Sequence, residues 1–178
     1  LYTSLNNKDL KILDCSWYLP NLGKNGKEEY IKERIPDSIY FDIDEFSDID
    51  CPYPHTLLSN EEFSEKLGKL GVQNNNHLIV YDAFGIFSSS RAWWMFKSYG
   101  HKKVSILDGG LKKWKLDKLP IEKGNPKIIS PTFYKANLTR ENIVSYDDVK
   151  KNITKQKFVL VDARPSGCLL YTSPSPRD

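Results

Sequence analysis

The feature that most constrains the fold is a near-continuous apolar run, His77-Leu-Ile-Val-Tyr-Asp82, set between segments of helical character. A strand that is apolar on both faces is typical of the centre of a parallel sheet covered by helices on both sides. Shorter apolar segments at residues 11–14, 39–41 and 104–108 alternate with helical segments. The sequence therefore predicts an α/β fold, a parallel sheet with helices on both faces.

Helix signals separate these strands. Ser59-Asn-Glu-Glu62 is a capping box, followed by Phe63, Leu67 and Leu70 at helical spacing and ended by Gly71. The other predicted helices cover residues 27–34, residues 89–99, a short segment with Leu111 and Trp114, and a segment that opens at Ser145.

Composition excludes several classes of protein. Hydrophobic residues make up 39% of the 178 residues and aromatic residues 12%, too many for a disordered chain. No apolar run approaches the ~20 residues of a membrane span, so we expect no membrane partner. The 26 basic residues are interleaved with 23 acidic ones, which argues against a nucleic-acid partner. The three cysteines lie far apart and predict neither a metal site nor a disulfide framework. We therefore expect no cofactor and a reducing compartment, cytoplasmic, or mitochondrial in a eukaryote.

The chain divides into unequal parts. Residues 119–131 are rich in Pro, Lys and Gly without periodicity, which suggests a linker. The helix from Ser145 is followed by Phe158-Val-Leu-Val-Asp-Ala-Arg164, which is typical of a buried strand and repeats the strand-then-Asp pattern of residues 11–14. We therefore predict a first domain over residues 1–124, and a linker with the truncated opening of a second domain over residues 125–167.

Both ends of the chain are unusual. It begins with Leu1, and its single methionine is Met95, so we expect a native start to be missing. Residues 168–178 lack periodicity and resemble a translated sequencing adaptor. We predict that this tail is foreign to the fold.

The segment Tyr81-Asp-Ala-Phe-Gly-Ile-Phe-Ser-Ser-Ser-Arg91 is a strand end, a loop and a helix start. Ligands of open α/β sheets bind beyond the carboxyl ends of the strands, and amides in such a loop can cradle an anion. A cysteine there would be a strong nucleophile, but the loop contains none. The segment is therefore either a non-catalytic relative of an active loop or an ordinary strand–helix connection.

The cysteines do not supply a nucleophile elsewhere. A phosphatase-type loop needs Arg six positions after Cys, but those positions hold Asn21, Leu57 and Pro174. Cys15 follows a buried strand and is predicted to be a small core residue. Cys51 lies in a Pro-rich loop without a clear activating neighbour, and Cys168 lies in the tail.

Two further groups of residues are candidates for function. Asp44 and His55 flank an acidic, Pro-rich loop, and such a pair can orient and polarise a nucleophile. The alternative is that both are ordinary solvent-exposed loop residues. Trp93 and Trp94 continue an apolar run in the helix after the loop, so that helix is either fully internal or packs against a second domain.

Several ordered motifs resemble the N-terminal domain of tandem rhodanese proteins, the thiosulfate and 3-mercaptopyruvate sulfurtransferases. They are Ile35-Pro-Asp-Ser-Ile-Tyr-Phe-Asp-Ile-Asp44, Pro54-His55, Asp82 through Arg91-Ala-Trp-Trp-Met-Phe, Gly100-His101 and Leu107-Asp-Gly-Gly-Leu-Lys-Lys-Trp114. The resemblance extends from about residue 10 to residue 167 and implies two rhodanese domains, of which the first is non-catalytic. In the second, a cysteine takes sulfur from a small donor as a persulfide and passes it to cyanide or to a thiol, for example of a thioredoxin-type protein.

The resemblance also implies roles for single residues. Asp44 and His55 match an Asp and a His proposed to relay protons in the mercaptopyruvate branch. Gly85, Ser88, Ser89, Ser90 and Arg91 fall in the non-catalytic loop and at the start of its helix, and Trp93 and Trp94 would pack between domains.

The chain departs from the family at three places. Arg34 replaces a usual His, Asp37 and Ser38 also differ, and Cys168 stands where a substrate-binding Arg is expected. The nucleophile and the rest of the second domain are absent from these 178 residues, so we expect no sulfurtransferase activity from the chain alone. The competing interpretations are a rhodanese module for binding or regulation and a small enzyme that uses Cys51.

Overall fold

A computed structural model describes residues 1–5, 7–139, 141, 143–164 and 166–172. The chain forms two compact units, unit 1 over Leu1–Asn142 and unit 2 over Ile143–Asp178. Within the described residues, no helix is long and apolar enough to cross a membrane.

Unit 1 is built on a four-stranded parallel sheet. Its strands are β1 (Leu10–Asp14), β2 (Ile39–Tyr40), β3 (His77–Tyr81) and β4 (Val104–Ile106), in the order β2-β1-β3-β4. The central pair is in register over five residues, from Leu10 opposite His77 to Asp14 opposite Tyr81. The predicted parallel α/β sheet is confirmed.

Helices cover both faces of this sheet. They are α1 (Gly26–Lys32), α2 (Asn60–Lys69), α3 (Ser88–Ser98) and α4 (Gly110–Leu116). Neighbouring residues of a strand point to opposite faces, and Leu13 packs in one core with α2 and α3, whereas Ile12 packs in another with α4. The capping box of α2 forms as predicted: Ser59 accepts the amide of Glu62, and the Glu62 carboxylate accepts the amide of Ser59.

The strand order creates a topological switch point between β1 and β3. From β1 the chain crosses to β2 on one side, and from β3 it crosses to β4 on the other. Right-handed crossovers therefore place the two connecting helices on opposite faces. A crevice opens beyond the carboxyl ends of β1 and β3, where α/β sheets bind ligands.

Residues 119–142 belong to unit 1, although the sequence predicts a linker over 119–131 and a boundary at residue 124. Tyr134 and Ala136 are buried in the core beside α2 and α3. The amide of Thr132 donates to the carbonyl of Gly68 over 2.8 Å. A few buried side chains and backbone hydrogen bonds thus hold an aperiodic segment against the domain.

The sequence predicts that Arg34 ends a helix, but the structure places it in extended backbone after the helix. Helix α1 ends at Lys32, and Arg34 forms a bridge with Glu122 of the returning segment. Its guanidinium is buried and bonds to the Glu122 carboxylate and to the carbonyl of Gly124, both over 2.6 Å. This buried ion pair stabilises the extended backbone at Arg34.

Unit 2 opens with α5 (Tyr146–Lys155), whose capping box between Ser145 and Asp148 matches the predicted helix start. The predicted strand over 158–164 is wrong, because no other strand lies among the described residues of unit 2 to receive its hydrogen bonds. Its apolar side chains are exposed instead, Val159 by 86% and Val161 by 80%.

The predicted foreign tail begins within a short helix, α6 (Ser166–Thr172). The sequence pattern does not predict this helix. Residues 173–178 lie outside the described residues. The foreign origin of residues 168–178 stays a prediction.

Candidate active site

The candidate site lies beyond the carboxyl ends of β1 and β3, where the loop after β3 leads into α3. Its centre is the carboxylate of Asp82, which is fully buried. The amides of Phe84 and Gly85 donate to one carboxylate oxygen, each over 2.8 Å. The other oxygen accepts the amides of Phe87 and Ser89, over 2.7 and 2.9 Å, and the Ser89 hydroxyl over 2.6 Å. We call this arrangement the Asp82 ring.

The Asp82 ring holds a charged carboxylate. Burial alone would raise the pKa of Asp82, but the hydrogen bonds from Ser89, Phe87 and Gly85 outweigh it and lower the pKa. The loop therefore has anion-binding amides, as predicted, and the anion that they bind is the carboxylate of Asp82. Sequence reasoning missed this role of Asp82, although a carboxylate directly after a strand and before a Gly- and Ser-containing loop is a signal for it.

The loop residues predicted from the sequence divide into separate environments. Gly85 and Ser89 wrap the Asp82 carboxylate, and Gly85 has a φ of +130°, which favours glycine. The Ser88 hydroxyl accepts the backbone amide of Trp17 over 3.2 Å. The Ser90 hydroxyl is turned back to the carbonyl of Phe87, over 2.6 Å, and does not take part in the ring.

Asp44 and His55 are close in space. The His55 Nδ1 atom lies 3.3 Å from one Asp44 oxygen, without the alignment of a hydrogen bond. The indole N–H of Trp17 donates to the other Asp44 oxygen over 3.0 Å. The Trp17 ring also meets His55 edge to face, with centroids 5.5 Å apart. Trp17, which sequence reasoning missed, thus contacts both members of the pair.

Arg91 fixes the backbone of His55. Its guanidinium donates to the His55 carbonyl and lies 4.5 Å above the ring of Trp94. His55 has a φ of +57°, which an L-residue rarely adopts, so it needs such support. The structure therefore brings Arg91, from the predicted loop segment, to the predicted Asp–His pair.

These groups border an open cavity of about 320 Å³, which we call the relay cavity. The residues that line it are Trp17, Ile43, His55, Phe87, Ser88 and Arg91. Its walls are mostly apolar, with an imidazole and a guanidinium among them. A small anionic or carbonyl compound would meet donors from His55 and Arg91 there.

Trp93 and Trp94 lie at the surface of α3 rather than in a fully internal helix. Trp93 is 36% exposed and donates its indole N–H to the carbonyl of Val104 over 3.2 Å. Trp94 is half-buried beneath Arg91. Their packing against another domain stays a prediction.

No thiol of the described residues lies in the Asp82 ring or lines the relay cavity. Cys15 is fully buried, as predicted, and its sulfur points to the carbonyl of Leu13. Burial, together with Asp14 and Asp82, raises the pKa of the Cys15 thiol well above its usual value. Cys51 is half-buried in its loop, and Cys168 lies on α6. Cys15 is thus unsuited to act as a nucleophile.

Comparison with known proteins connects this geometry to a family. The family model described as a Rhodanese-like domain matches residues 1–117. The chain is 42% identical over 171 residues to human 3-mercaptopyruvate sulfurtransferase, covering 95% of this chain and 57% of the relative. It is 37% identical over 169 residues to the thiosulfate sulfurtransferase of Bos taurus, covering 94% and 56%.

Solved structures agree with these sequence matches. SseA from Escherichia coli, which represents the rhodanese fold of 3-mercaptopyruvate sulfotransferases, superposes with a TM-score of 0.89 at 34% identity, covering 94% of this chain and 64% of SseA. Tum1 from Saccharomyces cerevisiae gives a TM-score of 0.83 at 32% identity, covering 94% and 58%. The chain thus spans between 56% and 64% of the length of these relatives.

Proposed function

The chain belongs to the rhodanese family, and from this premise we propose that it forms the first, non-catalytic domain of a tandem sulfurtransferase, joined by the beginning of the second. Its relatives are named 3-mercaptopyruvate and thiosulfate sulfurtransferases. The observation that carries the proposal is the Asp82 ring. A persulfide-forming thiolate needs a ring of amides, and here the ring is filled by a carboxylate. The nucleophile then comes from another domain, and the fragment alone is inactive.

The proposed reaction moves one sulfur atom in two steps. A cysteine thiolate of the second domain attacks the sulfur of 3-mercaptopyruvate, the S–S bond of a persulfide forms, and the C–S bond breaks. The electrons of that bond pass to the pyruvate enolate, which takes up a proton. An acceptor thiolate or cyanide then attacks the outer sulfur, and the cysteine thiolate leaves. A thioredoxin-type thiol would serve as the acceptor.

Asp44 and His55 serve this reaction as an auxiliary proton relay. Asp44 lies 3.3 Å from the His55 ring, Trp17 packs against that ring, and Arg91 holds the His55 backbone. The His55 side chain is partly exposed at the relay cavity, where it can exchange protons with a bound compound. The enolate that leaves 3-mercaptopyruvate needs a proton to become pyruvate, whereas the sulfite that leaves thiosulfate needs none. The relay therefore favours 3-mercaptopyruvate as the donor.

The test is the reading frame beyond residue 167 and the activity of its full-length product. We expect a strand and a Cys-containing loop to follow, and the full-length protein to release pyruvate from 3-mercaptopyruvate. His55→Ala in that protein should lower this turnover by about 10²-fold or more and affect thiosulfate turnover less.

A reading frame without such a loop would overturn the proposal and favour a binding or regulatory module. Equal loss of both activities in His55→Ala would remove the relay role but leave the sulfurtransferase assignment.

A further inference from the structure

A second cavity, of about 430 Å³, lies at the switch point on the opposite face of the sheet from the relay cavity. It opens between α1 and α4 beyond the ends of β1 and β3. Its size is in the usual range for small-molecule sites, and switch-point crevices are where open α/β sheets bind ligands. The residues that line this switch-point cavity include Asp14, Tyr18, Phe84 and Lys112.

Asp14 contributes a buried acid to the cavity. Asp14 is the last residue of β1 and is 1% exposed, and one of its carboxylate oxygens accepts the backbone amide of Ser16 over 2.9 Å. Among the described residues, no Lys, Arg or His nitrogen lies within 4 Å of its carboxyl group. Burial raises its pKa to about 6, against the hydrogen bonds from Ser16 and Tyr81. At neutral pH the site thus holds a buried negative charge without a protein cation.

One of the lysines that line the cavity has no carboxylate partner. Lys24 lies 3.7 Å from Glu29, and Lys115 pairs with Glu33. Lys112 has no carboxylate within 4 Å among the described residues. Glu29 is shared with Lys32, which lies 2.5 Å from it, so among the described lysines that line the cavity only the exposed ammonium of Lys112 lacks a carboxylate partner.

Two aromatic side chains also line the cavity. Tyr18 and Phe84 meet edge to face, with ring centroids 5.4 Å apart. Phe84 is 49% exposed, so its ring offers apolar surface to a ligand. The cavity thus combines a buried anion, an apolar side and a cation at the mouth.

We propose that the switch-point cavity binds a small zwitterion of the amino-acid class. Its ammonium group pairs with Asp14, its carboxylate with Lys112, and its apolar side chain packs on Tyr18 and Phe84. Each charge of the ligand meets the protein charge that lacks a partner. The proposal does not depend on sulfur transfer, since the cavity is separate from the relay cavity.

The experiment is a titration of the purified chain with three sulfur-free probes, followed by amide chemical shifts in NMR. L-phenylalanine has both charges, 3-phenylpropionate lacks the ammonium and phenethylamine lacks the carboxylate. We expect L-phenylalanine to saturate with a Kd on the order of 1 mM or below and to shift the amides of Ser16 and Phe84. The other two probes should bind at least about tenfold more weakly, since each leaves one charge unpaired.

Charge-removing variants separate the two contacts. Asp14→Asn should weaken L-phenylalanine about tenfold and leave 3-phenylpropionate unchanged. Lys112→Met should weaken L-phenylalanine to a smaller degree, because its ammonium is exposed, and leave phenethylamine unchanged. Lys113→Met, which removes a neighbouring charge that pairs with Asp117 outside the cavity, is the matched control and should change nothing.

Three results would overturn the proposal. They are no saturable shift with L-phenylalanine, equal binding of all three probes, and binding that survives Asp14→Asn in a variant whose spectrum shows the native fold. None of them bears on the sulfurtransferase proposal, because none of the probes carries sulfur.

Discussion

The substitution Asp82→Asn tests the Asp82 ring directly. The carboxylate accepts two backbone amides on one oxygen and two amides with a hydroxyl on the other. An Asn side chain keeps one oxygen and turns its NH₂ group toward two amide donors. At about 1.5–3 kcal/mol for each hydrogen bond to a charged group, losing two of them should destabilise unit 1 by about 3–6 kcal/mol. That is a large part of the stability of a typical domain.

The assay is urea unfolding at pH 7, followed by tryptophan fluorescence. All four tryptophans of the chain, at positions 17, 93, 94 and 114, belong to unit 1. Asp48→Asn is the matched control, because Asp48 accepts a single loop amide, that of Asp50, over 3.0 Å. We expect this control to cost less than about 1 kcal/mol.

The pH dependence has a definite sign. The folded pKa of Asp82 is lowered, so its stabilising contribution is present above the unfolded value of about 3.9 and is lost as the pH falls through the folded value. The difference between the parent chain and Asp82→Asn should therefore shrink below pH 4. If Asp82→Asn at pH 7 costs no more than Asp48→Asn, the carboxylate does not hold the loop and the reasoning is refuted.

Three other substitutions have predicted outcomes in the same assay. Asp14→Asn should stabilise unit 1 at pH 7.5 by up to about 3 kcal/mol, because burial raises the pKa of Asp14 from 3.8 to about 6 and each pKa unit corresponds to about 1.36 kcal/mol. The gain should shrink as the pH falls through about 6 and vanish below 3.8, and a loss at pH 7.5 would contradict it. Arg34→Met should destabilise by about 3 kcal/mol, since it leaves Glu122 without its buried partner; a neutral effect would show that the pair is dispensable. Burial lowers the pKa of the His101 ring, which bonds to Tyr134. The stability that the neutral ring contributes should be lost as the pH falls below about 6.5, the ordinary pKa of histidine in an unfolded chain. His101→Asn should reduce the difference in urea midpoint between pH 8 and pH 5, and an unchanged difference would argue against this role of His101.

Local signals in the sequence predicted much of unit 1. The apolar run at His77 gave the central strand, since it needs cover on both faces. The capping box at Ser59 gave the start of α2, because its two hydrogen bonds are local. The pairing of Asp44 with His55 is weak as a pattern, because ten residues separate them. The structure closes that loop through Arg91, a contact that no local pattern encodes.

The features that local patterns do not show depend on distant partners. The segment 158–164 has the composition of a strand, but a strand also requires a neighbour for its hydrogen bonds. Residues 119–131 have no periodicity, yet the chain that follows is anchored by Tyr134, which bonds to His101. The role of Asp82 depends on which way its side chain turns, and the same sequence could have left its carboxylate in solvent.

The most direct measurement of the central claim is sulfur transfer by the purified chain itself. The chain is incubated with cyanide and either thiosulfate or 3-mercaptopyruvate, and thiocyanate is quantified. Because the amide ring is filled by Asp82 and the Cys15 thiol is fully buried, we predict thiocyanate at the level of the protein-free reaction. Thiocyanate above that level, abolished by Cys15→Ser or Cys51→Ser, would contradict the account.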